Sequence, residues 1–331
     1  MISIITTIAE PTESVIKLSN KSIYSNGLVI IGDKKGPFKY DLPNTQFYSL
    51  DNQLSLDFKL AKLLPTAHYS RKNLGYLLAI QQGEDCIYET DDDNAPNDYW
   101  SIRNQETKVL MAHSAHWINA YKHFSEESIW PRGFLLDYIG KDSAIPKHDG
   151  SLIKIKAPIQ QGLADLSPDV DAIWRLTQDR EFYFERKDSL ALPTGSWCPF
   201  NTQSTWWWEE AFPLLYLPSY CSFRMTDIWK SFIAQRCLWE MGYHLVFHAS
   251  EVDQDRNFHN LMRDFEAEIS GYTQNEKLTK TLEASKLLPG SVNALRNLII
   301  CYEDLVIAGI LPKEEMELVR AWANDYEKLK K

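Results

Sequence analysis

The chain lacks any run approaching the ~18 consecutive apolar residues of a membrane-spanning helix. Its apolar opening, Met1 to Ile8, is too short for a signal peptide and carries no basic leader. Positive charge is also scarce: 35 Lys and Arg stand against 45 Asp and Glu, for a net charge of −10. Such a field repels nucleic acid and anionic lipid, so neither is expected as a partner. Cysteine is sparse and unpatterned. Cys86, Cys198, Cys221, Cys237 and Cys301 are odd in number, scattered, and include no Cys-x-x-Cys pair. That excludes a disulfide framework and predicts free thiols in a reducing compartment. Internal repeats and low-complexity tracts are absent too. Together these absences predict a cytoplasmic protein without a transmembrane segment.

What is present is the composition of a globular protein, 331 residues with 44% hydrophobic and 24% charged. That length suits one large α/β domain plus an appendage. Ser3 to Ile8 reads as a buried first strand, followed by a helix over Thr12 to Leu18 capped by Thr12. Gly27 to Ile31 is a second strand ending in Gly32-Asp33, and Phe47 to Leu50 a third. Ser70 then reads as the N-cap of a helix over Arg71 to Gln82, with Leu74, Leu77 and Leu78 on one face and Gly83 as its left-handed stop. Cys86 to Glu89 follows as a strand and runs into Thr90-Asp91-Asp92-Asp93-Asn94. This alternation predicts a mostly parallel sheet with a ligand beyond the carboxyl ends of its strands, where the Asp run falls. Residues 130–225 read as irregular. Asp227 to Met241 returns to helix, Tyr243 to His248 is a strand, and helical segments broken at Pro289-Gly290 and Pro312 close the chain.

Three consecutive aspartates at a strand end repel one another and form regular structure poorly. A hard divalent ion, Mg²⁺ or Mn²⁺, resolves the conflict by taking carboxylate and phosphate oxygens together. Asp91 and Asp93 are spaced as D-x-D, so one turn can aim both at a single ion; a solvated acidic loop is the structural alternative. The second D-x-D, Asp169-Val-Asp171, follows Ser167-Pro168, which reads as an N-cap and first helical position, and helix capping accounts for it.

The segment Arg71-Lys72-Asn73-Leu74-Gly75-Tyr76, with Ala79, Gly83, Ile87 and Asp91-Asp92-Asp93, resembles the signature of GT-A glycosyltransferases. There a basic helix start precedes the D-x-D strand. Lys72 or Arg71 supplies positive charge toward a nucleotide diphosphate, and Gly75 lets the helix lie close to sheet or ligand. Bases that merely solvate a helix start are disfavoured by the macrodipole. Leu64-Pro65 through Asp93 look like the STELLO glycosyltransferase family. So do Gln161-Gly-Leu with Pro168 to Arg175, and Arg224-Met-Thr-Asp-Ile-Trp229 with Gln235-Arg236 and Leu238-Trp239. More distantly they resemble the reversibly glycosylated polypeptides, which include UDP-arabinopyranose mutases. The resemblance covers roughly Ile4 to residue 270. Plant STELLO proteins carry a membrane anchor, further domains and a less complete Asp triplet, so Golgi residence and cellulose synthesis are not carried over.

The resemblance implies a GT-A, Rossmann-like nucleotide-sugar-binding domain over residues 1–270 and a C-terminal helical region over 271–331. It implies metal-dependent transfer from a UDP- or GDP-linked sugar to a glycan or other acceptor, in surface glycan or polysaccharide synthesis. A nucleotide-sugar mutase and a non-catalytic scaffold of the same fold are the alternatives. Metal ligation falls to Asp91, Asp93 and His248, the last by its likeness to the late histidine of GT-A folds. Asp33, Arg71, Lys72, Asp91 and Asp92 are expected to bind the nucleotide sugar, Asp33 on its position after the second strand. Asp227 reads either as the carboxylate that engages an acceptor hydroxyl or as a helix cap. His244 is out of helical register with His248, which disfavours a zinc pair. Trp197, Trp206, Trp207 and Trp208 read as a sugar-stacking platform or as ordinary packing.

Overall fold

The computed structural model describes residues 1–255 and 260–330. Short Ile- and Val-rich runs build β1 (Ile2–Thr6) and β2 (Leu28–Ile31), buried on both faces as parallel strands under helices are. Between them α1 (Glu13–Lys21) begins at Thr12, whose hydroxyl accepts the Val15 N–H at 3.1 Å, as the sequence predicts. There follow β3 (Thr45–Tyr48), the short helices α2 (Leu50–Leu54) and α3 (Lys59–Leu63), then α4 (Lys72–Gln81) and β4 (Cys86–Thr90). The order β3-β2-β1-β4 is parallel throughout, so its carboxyl ends share one edge.

Helix α4 lies hard against this sheet. A Cβ on Gly75 would stand 2.5 Å from Ile4 Cγ2 and 3.2 Å from Ile31 Cγ1, so only glycine permits the approach. Gly83 stops the helix at φ +77°. Its start differs from expectation. A 3₁₀ turn over Tyr69–Arg71 precedes it, and the Ser70 hydroxyl caps nothing: it accepts from Ser219 at 2.7 Å and meets His68 Nδ1 at 2.8 Å.

The expected irregular stretch 130–225 is substantially ordered. After β5 (Asn94–Pro96) and β6 (Glu106–Met111) it holds β7 (Leu152–Lys156), β8 (Ile159–Asp165), α5 (Ala172–Gln178), β9 (Leu190–Ala191) and β10 (Ser204–Trp208). Every residue of β10 is buried, so it shows no alternation of polar and apolar positions to betray a strand. It inserts between β4 and β8, antiparallel to both. The α/β class is borne out, but the sheet is mixed rather than mostly parallel. Its order among the described residues is β3-β2-β1-β4-β10-β8-β11-β9-β6-β7, where β11 is Val246–Gln254 and also pairs β5.

Helix α6 (Thr226–Glu240) precedes β11, and α7 (Leu261–Ala284), α8 (Ala294–Ile307) and α9 (Glu315–Leu329) follow it. The last two breaks fall at Pro289-Gly290 and Pro312, as the sequence indicates. Helix α7 runs through residue 270 without interruption. These helices share one hydrophobic cluster with the sheet. Asp325 on α9 accepts the Lys59 and Leu60 N–H groups at 3.0 and 2.8 Å and so caps α3, while Trp322 donates to the Pro213 carbonyl. Among the described residues no helix is long and apolar enough to cross a membrane.

Candidate functional site

The carboxyl ends of β1, β2 and β4 open onto one cavity of about 390 Å³. Thr6 and Thr7 reach it from β1, Ile31 to Asp33 from β2, and Asp91 to Asp93 from β4. Tyr69 and Arg71 come from the turn before α4, Phe223 and Arg224 from the turn before α6 and Asp227 from its start, and Gln254 from the end of β11. A strand-end crevice is where sheets of this kind bind ligands.

Each aspartate of the triplet is held differently. Asp91 Oδ1 accepts from Lys72 Nζ at 3.0 Å and from the Tyr69 hydroxyl at 2.8 Å. Burial pushes its pKa up, and the Lys72 charge opposes that shift. Asp92 accepts from the Thr7 hydroxyl at 2.5 Å, and its own carbonyl accepts from Thr12. Burial raises its pKa as well. Among the described residues the Asp93 carboxylate accepts from amide donors only, Asn94 at 3.0 Å and Gln254 at 2.9 Å. Burial, then the like charges of Asp91 and Asp92, push its pKa up to about 7. Among the described residues, one buried lysine thus faces three half-buried carboxylates.

The expected pair of bases is split. Lys72 is buried and spends its ammonium on Asp91, Tyr69 and the Thr90 carbonyl. Arg71 points toward β2: its Nε donates to Gln53 at 2.6 Å and its Nη1 to the Leu64 carbonyl. Its Nη2 is buried with no hydrogen-bond partner among the described residues, on a residue that lines the cavity. Asp33 accepts the N–H groups of Lys34, Ala67 and His68 at 2.6, 2.8 and 3.0 Å. It therefore shapes the 67–68 turn, in which Ala67 has φ +54°, while still facing the cavity.

Asp227 lines the cavity and makes no capping bond. Its two oxygens accept from Arg132 Nη1 at 3.0 Å and Nη2 at 2.8 Å. Despite burial, the Arg132 guanidinium holds its carboxyl below the usual range. The second D-x-D divides in two. Asp171 is the N-cap of α5, accepting the Trp174 N–H at 2.8 Å; the helix starts at Ala172, not at Pro168. Asp169 instead lines the cavity on Arg132.

His248 is not brought to the triplet. It lies within β11, which continues to Gln254, and is absent from the cavity wall. Its Nδ1 meets Ser189 Oγ at 2.6 Å and its Nε2 meets Gln160 Oε1 at 2.9 Å. Burial and then the Arg103 charge push its pKa well down, so both ring nitrogens are engaged on a neutral imidazole. His244 Nδ1 meets the Leu192 carbonyl, away from His248. The tryptophans are core: Trp206 donates to Glu251, Trp207 to Glu89 and Trp197 to Glu283. The exposed ring at the cavity is Phe223, 60% accessible and edge-on to Tyr69. Arg132, Tyr69, Thr7, Thr202 and Gln254 join the site without any motif to announce them.

Among the described residues six carboxylates (Asp33, Asp91, Asp92, Asp93, Asp169, Asp227) line the cavity with four Lys and Arg side chains, of which Arg132 and Arg224 are already paired to protein carboxylates. Among the described residues no three His, Cys, Asp or Glu side chains form a ready-made metal cage. A Mg²⁺-type site does not need one, since one or two carboxylates suffice when phosphate oxygens and water complete the shell. The all-oxygen, charge-excess set at Asp91 and Asp93 fits that chemistry.

Comparison with known proteins supports the family resemblance. The STELLO glycosyltransferase model matches residues 224–331, from the Arg224 end of the cavity through α9. The chain is 29% identical over 248 residues to Probable glycosyltransferase STELLO2 of Arabidopsis thaliana, covering 68% of this chain and 32% of that protein. It is 29% identical over 262 residues to Probable glycosyltransferase STELLO1 of the same plant, covering 72% of this chain and 33% of that one. The chain thus spans about a third of the length of the curated relatives it matches.

Proposed function

We propose that the protein is a glycosyltransferase whose cavity binds a nucleoside diphosphate sugar, UDP- or GDP-linked, and delivers the sugar to a hydroxyl of a glycan or other acceptor. The family resemblance supports the reaction class. The observation that carries the site is the surplus of half-buried carboxylate at the end of β4, where among the described residues one lysine faces three aspartates. Asp91 and Asp93 are the residues that would hold a divalent cation, Mn²⁺ or Mg²⁺. Such an ion supplies charge neutralisation for the departing diphosphate.

The chain's own groups do the rest. Lys72 fixes Asp91 in place and offsets one negative charge. Thr7 and Thr12 pin Asp92, and Gln254 with Asn94 orients Asp93. The unpartnered Nη2 of Arg71 and the turn shaped by Asp33 offer polar contacts for base or ribose on the β2 side. Asp227, kept ionised by Arg132, accepts a hydrogen bond from a substrate hydroxyl.

A panel of UDP- and GDP-sugars, titrated with Mn²⁺ and again with EDTA, tests this reading. Binding of one donor that weakens at least roughly tenfold in EDTA is the expected result, since the acidic triplet repels a bare diphosphate. Slow release of free sugar from that donor would mark a transferase and isomerised donor a mutase. Undiminished affinity in EDTA would remove the metal, and no donor binding at all would leave a scaffold.

A further inference from the structure

Away from β4, the same cavity wall carries a group of charges that the metal and diphosphate reading leaves unused. Arg132 is buried and donates five hydrogen bonds, all inside the protein. Nε reaches Asp169 Oδ1 at 2.7 Å, and Nη2 reaches Asp169 Oδ2 and Asp227 Oδ2, both at 2.8 Å. Nη1 reaches Asp227 Oδ1 at 3.0 Å and the Arg224 carbonyl. A guanidinium has five N–H groups, so none is left for a ligand. Each carboxylate oxygen, by contrast, accepts one of these bonds and keeps a further lone pair. Both carboxylates line the cavity. The guanidinium between them holds both carboxylates in a fixed orientation, with their free lone pairs as acceptors.

We propose that Asp169 and Asp227, cross-braced by Arg132, form a hydroxyl-recognition subsite for an uncharged sugar carried on the nucleoside diphosphate, with Arg132 as its positioning residue. The inference rests on the donor reading above and adds the class of sugar. Sugar hydroxyls are the donors that a rigid row of anionic acceptors lacks. The cluster of one cation and two anions is net negative, and the neighbouring Arg224 directs Nε and Nη2 to Glu268 at 2.9 and 2.7 Å. A uronate would therefore bring a third carboxylate against this wall with no Arg132 N–H to receive it. The placement near the diphosphate grip is direct, since Asp169 and Asp227 line the same cavity as Asp91 and Asp93.

The test is calorimetry with Mn²⁺ on wild type, Asp169→Asn and Arg132→Lys. The ligands are whichever of UDP and GDP binds, alone, with a neutral hexose, and with the corresponding uronate. Wild type is expected to bind the neutral-sugar nucleotide roughly tenfold or more tighter than the bare diphosphate, and the uronate roughly tenfold weaker than the neutral sugar. Asp169→Asn should keep the affinity for the bare diphosphate, lose most of the gain from the sugar, and narrow the gap to the uronate. Arg132→Lys, which lacks the fork, should show the same pattern. A purely structural tie would instead lower all three affinities together. A sugar gain unchanged in Asp169→Asn, or uronate and neutral sugar bound equally by wild type, overturns the proposal while leaving the donor reading intact. Failure of wild type to bind either diphosphate removes the donor reading and the subsite with it.

Discussion

Removing one charge from the Asp91-Asp92-Asp93 triplet should stabilise the metal-free protein. Asp93 is the most perturbed of the three, with its pKa moved from 3.8 to about 7 by burial and by the charges of its two neighbours. Because the folded state binds this proton more tightly than the unfolded chain, its favourable contribution is complete below about pH 4 and is lost as pH rises to about 7. Three pKa units correspond to about 4 kcal/mol, and partial hydration of a site open to the cavity reduces this to about 2–4 kcal/mol. Asp93→Asn abolishes the charge but leaves either Asn94 or Gln254 without its carboxylate acceptor, at a cost of about 1 kcal/mol. The net gain above pH 7 is about 1–3 kcal/mol, or about 2–6 °C in Tm for a chain of this size. Thermal unfolding in EDTA at about pH 8 and about pH 5 measures it. The variant should melt higher at the upper pH and lose that advantage at the lower one, where wild-type Asp93 is protonated. With Mn²⁺ and a bound donor the order should reverse, and turnover should be abolished. A variant that melts at or below wild type at about pH 8, or whose advantage is independent of pH, would refute the electrostatic account of the triplet.

Three further outcomes follow from other parts of the structure. Asp227→Asn should leave affinity for the bare nucleoside diphosphate near wild type while kcat/KM for transfer falls roughly 10–100-fold, the worth of one or two charge-assisted hydrogen bonds; lost diphosphate affinity would place Asp227 in the wrong half of the site. Lys230→Met strips the buried Glu89 of an ammonium 2.8 and 2.9 Å from its two oxygens, leaving Tyr76 and Trp207 as its donors among the described residues. It should cost about 3–5 kcal/mol in urea unfolding, and a loss below about 1 kcal/mol would contradict a buried ion pair at Glu89. Gly75→Val forces a side chain into Ile4 and Ile31 and should destabilise by about 1–3 kcal/mol or more, with α4 and its Lys72 displaced; unchanged stability in denaturant would contradict the close packing of helix on sheet.

The strands and longer helices of the first 95 residues, though not α2, α3 or the start of α4, were legible because each obeys a one-dimensional rule. Continuous Ile and Val runs mark strands buried on both faces, Thr12 and Gly83 mark helix ends, and three adjacent aspartates after Cys86–Thr90 mark a charge conflict wherever the chain folds. The cavity forms there because parallel strands end together. The middle of the chain was illegible for the converse reason. β10 is buried on every residue, and a strand without alternation has no period to detect. Its antiparallel insertion turned an expected parallel sheet into a mixed one, and it drew the tryptophans into the core rather than toward a sugar.

The site shows the same division. Residue type and spacing by themselves determined that Asp91 to Asp93 sit at a strand end, that Asp33 follows the second strand, and that Gly75 lies under close packing. The tertiary structure alone decided which of two neighbouring bases meets the triplet. The turn before α4 aims Lys72 at Asp91 and turns Arg71 toward Gln53. It also decided that His248, well placed in sequence, is spent on Ser189 and Gln160. Above all it decided the meeting of Arg132, Asp169 and Asp227, which come from three separate segments and share no motif. A guanidinium and two carboxylates 37 and 95 residues apart carry no signal along the chain, because their complementarity exists only where the fold removes the water between them.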